Sequence, residues 1–254
     1  MTNVYESPKL LAEYLLFHFG TDADLIEVAN VPRGLDRFPE RVVERLLENI
    51  PPPEPGARCL DLGCAVGASC FELARRGYHV TGIDFSAAFI QAAETLRTTG
   101  KINIEIPVEG NRTRPFTARV KPLPDPSLIV FEQGDAMQLR EFEAPFDIVL
   151  ASNLLCRLPD PTRFLESLPG LVAPGGLLLL ATPFSWLQEF TPPARWIGGH
   201  PGDVPSFELL KQALAPSFVL EHCEDIPFLI REHARKFQLG ISLGSRWRKL
   251  KPSV

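Results

Sequence analysis

Leu60-Asp61-Leu62-Gly63-Cys64-Ala65-Val66-Gly67 is the stretch whose reading decides the fold. A strand-like run, Arg58 to Leu62, leads into it, and a helical pattern, Ala65 to Arg76, leads out. Glycines at such a turn let the backbone reverse sharply and approach a ligand closely, and the helix N-terminus behind them offers N–H groups and a partial positive charge. An adenine-nucleotide-like ligand is the natural occupant. Twenty-one residues after Gly63, Asp84 ends the next strand in Gly82-Ile83-Asp84-Phe85-Ser86, where a carboxylate can take both hydroxyls of a ribose. Gln133-Gly134-Asp135-Ala136 follows a third strand and is placed to meet the adenine amino group. A dinucleotide site normally reads Gly-x-Gly-x-x-Gly with a phosphate on the turn, whereas here an acid, Asp61, stands two residues before the first glycine. That acid disfavours a phosphate and suits an ammonium.

Outward from this stretch the pattern alternates: strand to Leu62, helix to Arg76, strand Tyr78 to Ile83, helix Ser86 to Arg97. Such βαβα alternation predicts an α/β fold with a mostly parallel sheet covered by helices on both faces. Further strands are expected at Leu128 to Glu132, Phe146 to Ala151, Leu177 to Ala181 and Phe218 to Asp225, with helices near Pro161 to Leu168 and Ser206 to Ala215. Two stretches interrupt the rhythm. Ile102, Ile104, Ile106 and Val108 alternate as in a strand, which makes Ile102 to Val120 a β-hairpin insertion, and Pro183 to Pro205 is an aromatic and glycine-rich loop. Ahead of the core, Ser7 to Phe19 spaces Leu10, Leu11, Tyr14, Leu15 and His18 as a helix, with Ser7 as N-cap, Pro8 first and Gly20 as stop; Pro39 to Ile50 is a second one. These make an N-terminal helical cap. The expected organisation is one domain, 1–254: a helical extension over 1–56, a cofactor-binding core over 57–182, and a substrate loop with C-terminal strands over 183–254.

Composition bounds the function. The chain has 254 residues, 45% of them hydrophobic and 22% charged, enough for a packed core and too apolar for disorder. A net charge of -5 removes the easy electrostatic route to nucleic acid. Arg246, Arg248, Lys249 and Lys251 form a basic cluster at the tail, read as a solvated end. The five cysteines, Cys59, Cys64, Cys70, Cys156 and Cys223, form no C-x-x-C pair, so neither a disulfide framework nor a zinc site is expected. No run approaches the ~20 apolar residues of a membrane span, and the first twenty residues lack a signal-peptide pattern. A cytoplasmic protein without membrane or nucleic-acid partners is the expectation.

The Asp61-to-Gly67 run resembles motif I of class I S-adenosylmethionine-dependent methyltransferases, with Ala65 in place of the usual middle glycine. The likeness continues through Asp84 and Asp135, through Phe146-Asp147-Ile148-Val149-Leu150-Ala151-Ser152-Asn153, and through Pro174-Gly175-Gly176. It implies a Rossmann-like class I methyltransferase fold and S-adenosyl-L-methionine as cofactor, released as S-adenosyl-L-homocysteine. Asp61, Gly63, Cys64, Ala65, Gly67, Asp84, Phe85, Gly134, Asp135 and Ala136 are the cofactor-binding candidates. A narrower resemblance runs through Tyr5-Glu6-Ser7-Pro8-Lys9-Leu10-Leu11, Glu13 to Gly20, Phe131 to Ala136, Asn153-Leu154-Leu155-Cys156-Arg157-Leu158, Thr182 to Pro192 and Asp225 to Glu232. These segments are similar to the methyltransferase domain of ovothiol-biosynthesis enzymes. That resemblance implies N-methylation of the imidazole of 5-thiohistidine (4-mercaptohistidine), and a separate iron-dependent sulfoxide synthase in the same pathway, with no metal site in this chain. Cys156 stands where the family pattern has Asp and Phe184 where it has Tyr, which leaves open a selenohistidine analogue or another small metabolite as acceptor. A cofactor-binding module that supports a partner synthase is the alternative of a different class.

Methyl transfer from a sulfonium needs an exposed lone pair held in line with the methyl carbon, so positioning counts for more than covalent chemistry. Asn153, just beyond the motif IV strand, is the candidate catalytic residue as an amide that orients the acceptor ring; otherwise it caps a helix. Tyr14 and His18, four residues apart, can cover the site and hold substrate, or simply pack. Arg231 in an apolar strand can grip an amino-acid carboxylate, or pair with a neighbouring acid. Phe184 and Trp186 can line the substrate pocket, or pack.

Overall fold

The structure is a computed structural model that describes residues 4–251. The cap comprises a 3-10 turn, Val4–Glu6, then α1 (Pro8–Phe19), α2 (Asp22–Leu25) and α3 (Phe38–Leu46). The core alternates β1 (Arg58–Leu62), α4 (Ala68–Arg75), β2 (His79–Asp84) and α5 (Ala87–Thr99). The hairpin β3 (Lys101–Glu109) and β4 (Arg112–Arg119) follows, then β5 (Ile129–Gln133) and β6 (Phe146–Ser152). The chain ends with α6 (Pro161–Leu171), β7 (Val172–Thr182), α7 (Ser206–Leu214), β8 (Phe218–His233) and β9 (Lys236–Lys249).

Seven strands form one sheet in the order β5-β2-β1-β6-β7-β9-β8, with β3 and β4 as a separate antiparallel pair. The first five are parallel, and β9 enters antiparallel between β7 and β8. This is a Rossmann-like α/β fold with a hairpin insertion, as the alternation predicts. The chain winds outward through β2 and β5, then returns to place β6 on the other side of β1. Ligands of open α/β sheets bind at that kind of reversal, beyond the carboxyl ends of the strands.

Local chemistry explains the boundaries. Ser7 Oγ accepts from Leu10 N at 3.2 Å and Pro8 opens α1, so the first helix starts where its cap directs. Ser86 Oγ caps α5 in the same way, accepting from Phe89 N at 3.2 Å. One core cluster, with Phe38, Val42, Phe71 and Phe89, lies on the α1, α3, α4 and α5 side of the sheet. The other, with Leu60, Val149, Phe164, Leu210 and Trp247, lies on the α6 and α7 side. Ile106, Phe116 and Ala118 carry the hairpin into the first cluster, and Ala234 N donates to Val108 O at 3.1 Å, joining the β8–β9 turn to it. Among the described residues, no helix is long and apolar enough to cross a membrane.

Three expectations are corrected here. The helix after the glycine turn begins at Ala68 rather than Ala65, because Ala65 (φ 47) and Gly67 (φ 87) both take left-handed backbone within the turn. The strand expected to end at Asp225 continues to His233. Of the basic tail, Arg246, Arg248 and Lys249 are no solvated end, because they belong to β9, whereas Lys251 lies beyond it and is exposed. Arg246 and Arg248 both bind Glu221, and Lys249 Nζ donates to Pro169 O and Val172 O at 2.5 and 2.7 Å. Phe237, Leu239, Ile241 and Leu243 alternate with Gln238, Gly240, Ser242 and Gly244, a strand signal that the interleaved glycines and the terminal charges obscure.

Candidate functional site

The glycine turn after β1 is braced from within. Gly63 N and Cys64 N both donate to Ile83 O, at 2.8 and 3.1 Å, and Gly67 N donates to Cys64 O at 2.9 Å. Ala65 N donates to Asp84 Oδ2 at 2.9 Å. Three N–H groups of the turn are therefore used to lock it to the end of β2, and a fourth closes the turn on itself. Asp84 also accepts from Ser86 N at 2.9 Å through Oδ1, so its carboxylate is fixed at the β2 terminus, and burial raises its pKa above the ordinary 3.8. The Phe85 ring beside it is 60% exposed, an aromatic face left open next to a fixed acid.

Asp61 points toward α4. Its Oδ2 accepts from Ser69 Oγ and, at 3.2 Å, from Cys70 Sγ. Burial pushes its pKa up to about 6. Two internal donors thus hold one of its carboxylate oxygens beneath the turn. Cys64 packs as a small apolar residue, with burial raising its thiol to about 11. Gly134 N donates to Asp84 O at 2.9 Å, Asp135 Oδ1 accepts from Met137 N at 2.8 Å, and Ala136 packs on the α6 and α7 core.

Asn153 follows β6 in the left-handed region (φ 53), its N–H donating to Ala181 O at 2.7 Å. Its side chain does not cap the next turn, where Leu154 is the capping residue. Instead Oδ1 accepts from Ser242 Oγ at 2.6 Å, which leaves the amide nitrogen as its outward donor. Ser242, fully buried on β9, is the partner that sequence reasoning missed. Leu154 packs against Gly63, so the β6 turn and the glycine turn are in contact.

Aromatic side chains from distant segments close this end of the sheet. Tyr5 lies 6.1 Å from Tyr14, 5.8 Å from Phe89 and 6.3 Å from Phe190, and Tyr14 lies 4.7 Å from Phe89, centroid to centroid. The Tyr5 and Tyr14 phenols share a hydrogen bond, and burial raises both pKa values. Asp84 and Arg157 both act electrostatically on Tyr5, so the acid of β2 and the guanidinium beyond β6 are both near its phenol. The turn carrying Tyr5 is latched: Ser86 Oγ donates to Tyr5 O at 3.2 Å, and Ala87 N donates to Glu6 Oε1 at 2.9 Å. Tyr5, Arg157 and Phe190 lie inside sequence segments already singled out, yet only the fold brings them together.

His18 and Arg231 are corrections. His18 is 4% exposed among Tyr14, Phe17 and Phe19, its pKa is lowered to about 3 by burial, and its Nδ1 has no hydrogen-bond partner among the described residues. The packing alternative is the observed one. Arg231 is in the ion-pair alternative, Nη2 to Glu27 Oε1 at 3.1 Å, and Glu27 also holds Arg114 Nε at 2.7 Å. Ile226 lies opposite Ser242, and strand side chains alternate, so Arg231 projects from the face of β8 opposite to Asn153 and Ser242. Trp186 is corrected too: its Nε1 reaches Ser206 Oγ at 3.4 Å, and with Phe184 (φ 49) it packs on the α6 and α7 core.

Two carboxylates raised by burial, Asp61 and Asp84, flank one turn at the sheet reversal with no basic side chain among the groups acting on them. A cationic, ribose-bearing cofactor fits that donor set; a phosphate does not. Among curated proteins, the chain is 34% identical over 131 residues to a ubiquinone biosynthesis O-methyltransferase of Maricaulis maris, covering 51% of this chain and 42% of that one. A Xylella fastidiosa protein of the same name is 30% identical over 130 residues, with 51% and 43% covered. The chain thus spans less than half the length of these relatives. Among solved structures, the [4+2]-cyclase SpnF superposes with a TM-score of 0.59 at 16% identity, covering 97% of this chain and 94% of that one. A SAM-dependent methyltransferase from Methanosarcina mazei gives 0.53 at 20% identity, covering 79% and 95%. Both likenesses are of fold. The family model described as "Methyltransferase domain" matches residues 33–233. With the braced turn after β1 and the fixed acid after β2, that match makes this chain a member of the methyltransferase-domain family.

Proposed function

We propose that the chain methylates a ring nitrogen of 5-thiohistidine, or of a closely related thiolated or selenated histidine. The observation that carries this reading is convergence. Segments of the narrower ovothiol-type resemblance, far apart in sequence, supply the mouth: Tyr5 and Tyr14, Arg157, and Phe190, whose ring lies 5.0 Å from the Arg157 guanidinium carbon. A small aromatic ring suits such a mouth. An earlier reaction that puts sulfur on the histidine ring supplies the acceptor; an iron-dependent sulfoxide synthase is the proposed partner in that step.

In this reading Asp84 takes the cofactor ribose hydroxyls, Phe85 lies against the adenine, and Gly134, Asp135 and Ala136 border the base. Gly63, Cys64, Ala65 and Gly67 shape the turn beneath, and the charge of Asp61 favours the cofactor's ammonium from behind it. When bound, the cofactor supplies an electrophilic methyl on a sulfonium sulfur. The protein's task is orientation and exclusion of water. Asn153, fixed by Ser242, offers its amide N–H to the acceptor ring and so selects which ring nitrogen presents its lone pair. Tyr5 and Tyr14 close the mouth.

A second reading, transfer to a phenolic oxygen, is favoured by the ubiquinone biosynthesis O-methyltransferases among the relatives. Incubation with S-adenosylmethionine and, separately, 5-thiohistidine, histidine or a catechol, followed by mass spectrometry with fragmentation, separates the two. One methyl on the thiohistidine ring is the expected result, and methylation of the catechol alone would overturn it. Asp84→Ala is expected to weaken cofactor binding by about 10–100-fold, since hydrogen bonds to a charged group contribute about 1.5–3 kcal/mol. Unchanged affinity by calorimetry would remove Asp84 from the ribose.

A further inference from the structure

We propose that Arg157 anchors an anionic group of the methyl acceptor, a carboxylate or a thiolate, on the guanidinium edge that the protein leaves toward the mouth. The inference rests on the reading that the acceptor binds in the mouth formed by Tyr5, Tyr14 and Phe190.

Arg157 ends the 3-10 turn Leu155–Arg157 directly after Asn153 and Leu154, so it is held on the same short segment that touches the glycine turn. Its fixed contacts are all neutral. Nη1 donates to Ser185 O at 2.9 Å and Cys156 O at 3.0 Å, and lies 3.4 Å from Cys156 Sγ; Nη2 lies 3.4 Å from Ser185 Oγ. Among the described residues no carboxylate lies within ion-pair distance of it. Arg75 sits on Glu40 and Glu72, Arg97 on Glu94, and Arg246 on Glu221, whereas Arg41 and Arg58, like Arg157, are held by carbonyl oxygens without an ion pair; of these three, Arg157 is the one that follows Asn153 at the carboxyl end of β6. A guanidinium pinned by carbonyls and left without a counter-ion is preorganised for one.

The geometry also says how an anion approaches. Phe190 covers one guanidinium face at 5.0 Å, and Nη1 is taken up by the carbonyls. The Nε and Nη2 edge remains, with the parallel donors that match a carboxylate. Asp84 and Arg157, of opposite charge, both act on the Tyr5 and Tyr14 phenols. A cationic methyl donor and an anionic acceptor would each meet the complementary charge, which brings them together. This assigns to the β6 turn the role that the sequence suggested for Arg231.

The test uses Arg157→Gln and Arg157→Lys beside the intact protein. Steady-state kinetics with 5-thiohistidine are compared with two probes, 5-thiohistamine, which lacks the carboxylate, and histidine, which lacks the sulfur. Calorimetry measures S-adenosylmethionine affinity, and binding of each acceptor to protein loaded with S-adenosylhomocysteine. Arg157→Gln is expected to raise KM, or Kd, for 5-thiohistidine by about 10–100-fold, with Arg157→Lys in between and cofactor affinity within about threefold of wild type. The probe for which the variant no longer differs from wild type identifies the group held. Equal affinities in variant and wild type, absence of acceptor binding to wild type, or a loss confined to the cofactor would overturn the proposal; the last would put Arg157 on the cofactor's own carboxylate. Arg157-dependent binding without methyl transfer would leave the anchor standing and refute the thiohistidine reading instead.

Discussion

Gly67→Ala is expected to destabilise the protein by about 2–5 kcal/mol, combining roughly 1–2 kcal/mol for a left-handed L-residue with 1–3 kcal/mol for overpacking. Gly67 has φ 87, and a Cβ there would stand 2.6 Å from Cζ and 2.9 Å from Cε1 of Phe131. To admit the methyl group the Phe131 ring must shift. It already lies against Gly82 and packs edge-on against Phe71 at 5.8 Å. At about 2–4 °C per kcal/mol for a chain of this size, the melting temperature should fall by roughly 4–20 °C. Gly56→Ala is the control, because Gly56 has φ 85 with nothing within 4 Å of the added Cβ, so only the backbone cost of roughly 1–2 kcal/mol applies. Equal melting temperatures for the two variants would show that the Phe131 contact carries no weight. Cofactor affinity should fall with Gly67→Ala alone, since the turn must shift to admit the methyl group.

Asp61→Asn is expected to do the opposite to stability. The Asp61 pKa is raised from 3.8 to about 6, so the native state binds this proton more tightly than the unfolded chain does. Below pH 3.8 the acid is protonated in both states and imposes no penalty. As pH rises from 3.8 to about 6 the penalty grows, and above that range it is constant at about 3 kcal/mol, at 1.36 kcal/mol for each unit of pKa difference. An asparagine keeps an oxygen to accept from Ser69 and Cys70 and carries no charge. Urea unfolding at pH 8 should therefore find the variant more stable by about 3 kcal/mol, with the difference vanishing near pH 4. Asp84, raised in the same direction, is common to both proteins, and its repulsion of the Asp61 charge is one of the costs that the variant removes. A difference independent of pH would contradict the burial argument. Retaining so costly an acid makes sense beside a cation, and S-adenosylmethionine should accordingly raise the melting temperature of the variant less than that of the wild type.

Much of the fold was legible because its signals are local. Ser7 and Pro8 start α1, Ser86 caps α5, and the glycine turn separates β1 from α4, each through contacts within a few residues. The alternating isoleucines from Ile102 to Ile106 were enough to identify the hairpin. The neighbourhood of Asp84 and the glycine turn was legible for the same reason, since adjacent strands fix them relative to each other. β9 was not, because its alternation passes through Gly240 and Gly244 and ends in a run of charges that pair only with β8 and nearby carbonyls.

The sequence by itself determined the α/β class, the strand-to-helix turn and the acid that follows it, because hydrophobic periodicity and turn chemistry act over a few residues. Tertiary structure decided which polar side chains meet. Arg231 and Arg157 look alike as arginines in apolar surroundings, but the parity of β8 turns the first toward Glu27, and the turn after β6 leaves the second beside Tyr5 and Phe190. Ser242 reaches Asn153 across 89 residues of chain because β9 inserts between β7 and β8. Side-chain direction in a strand changes with every residue and partner choice depends on sheet order, so neither is encoded within reach of a local pattern.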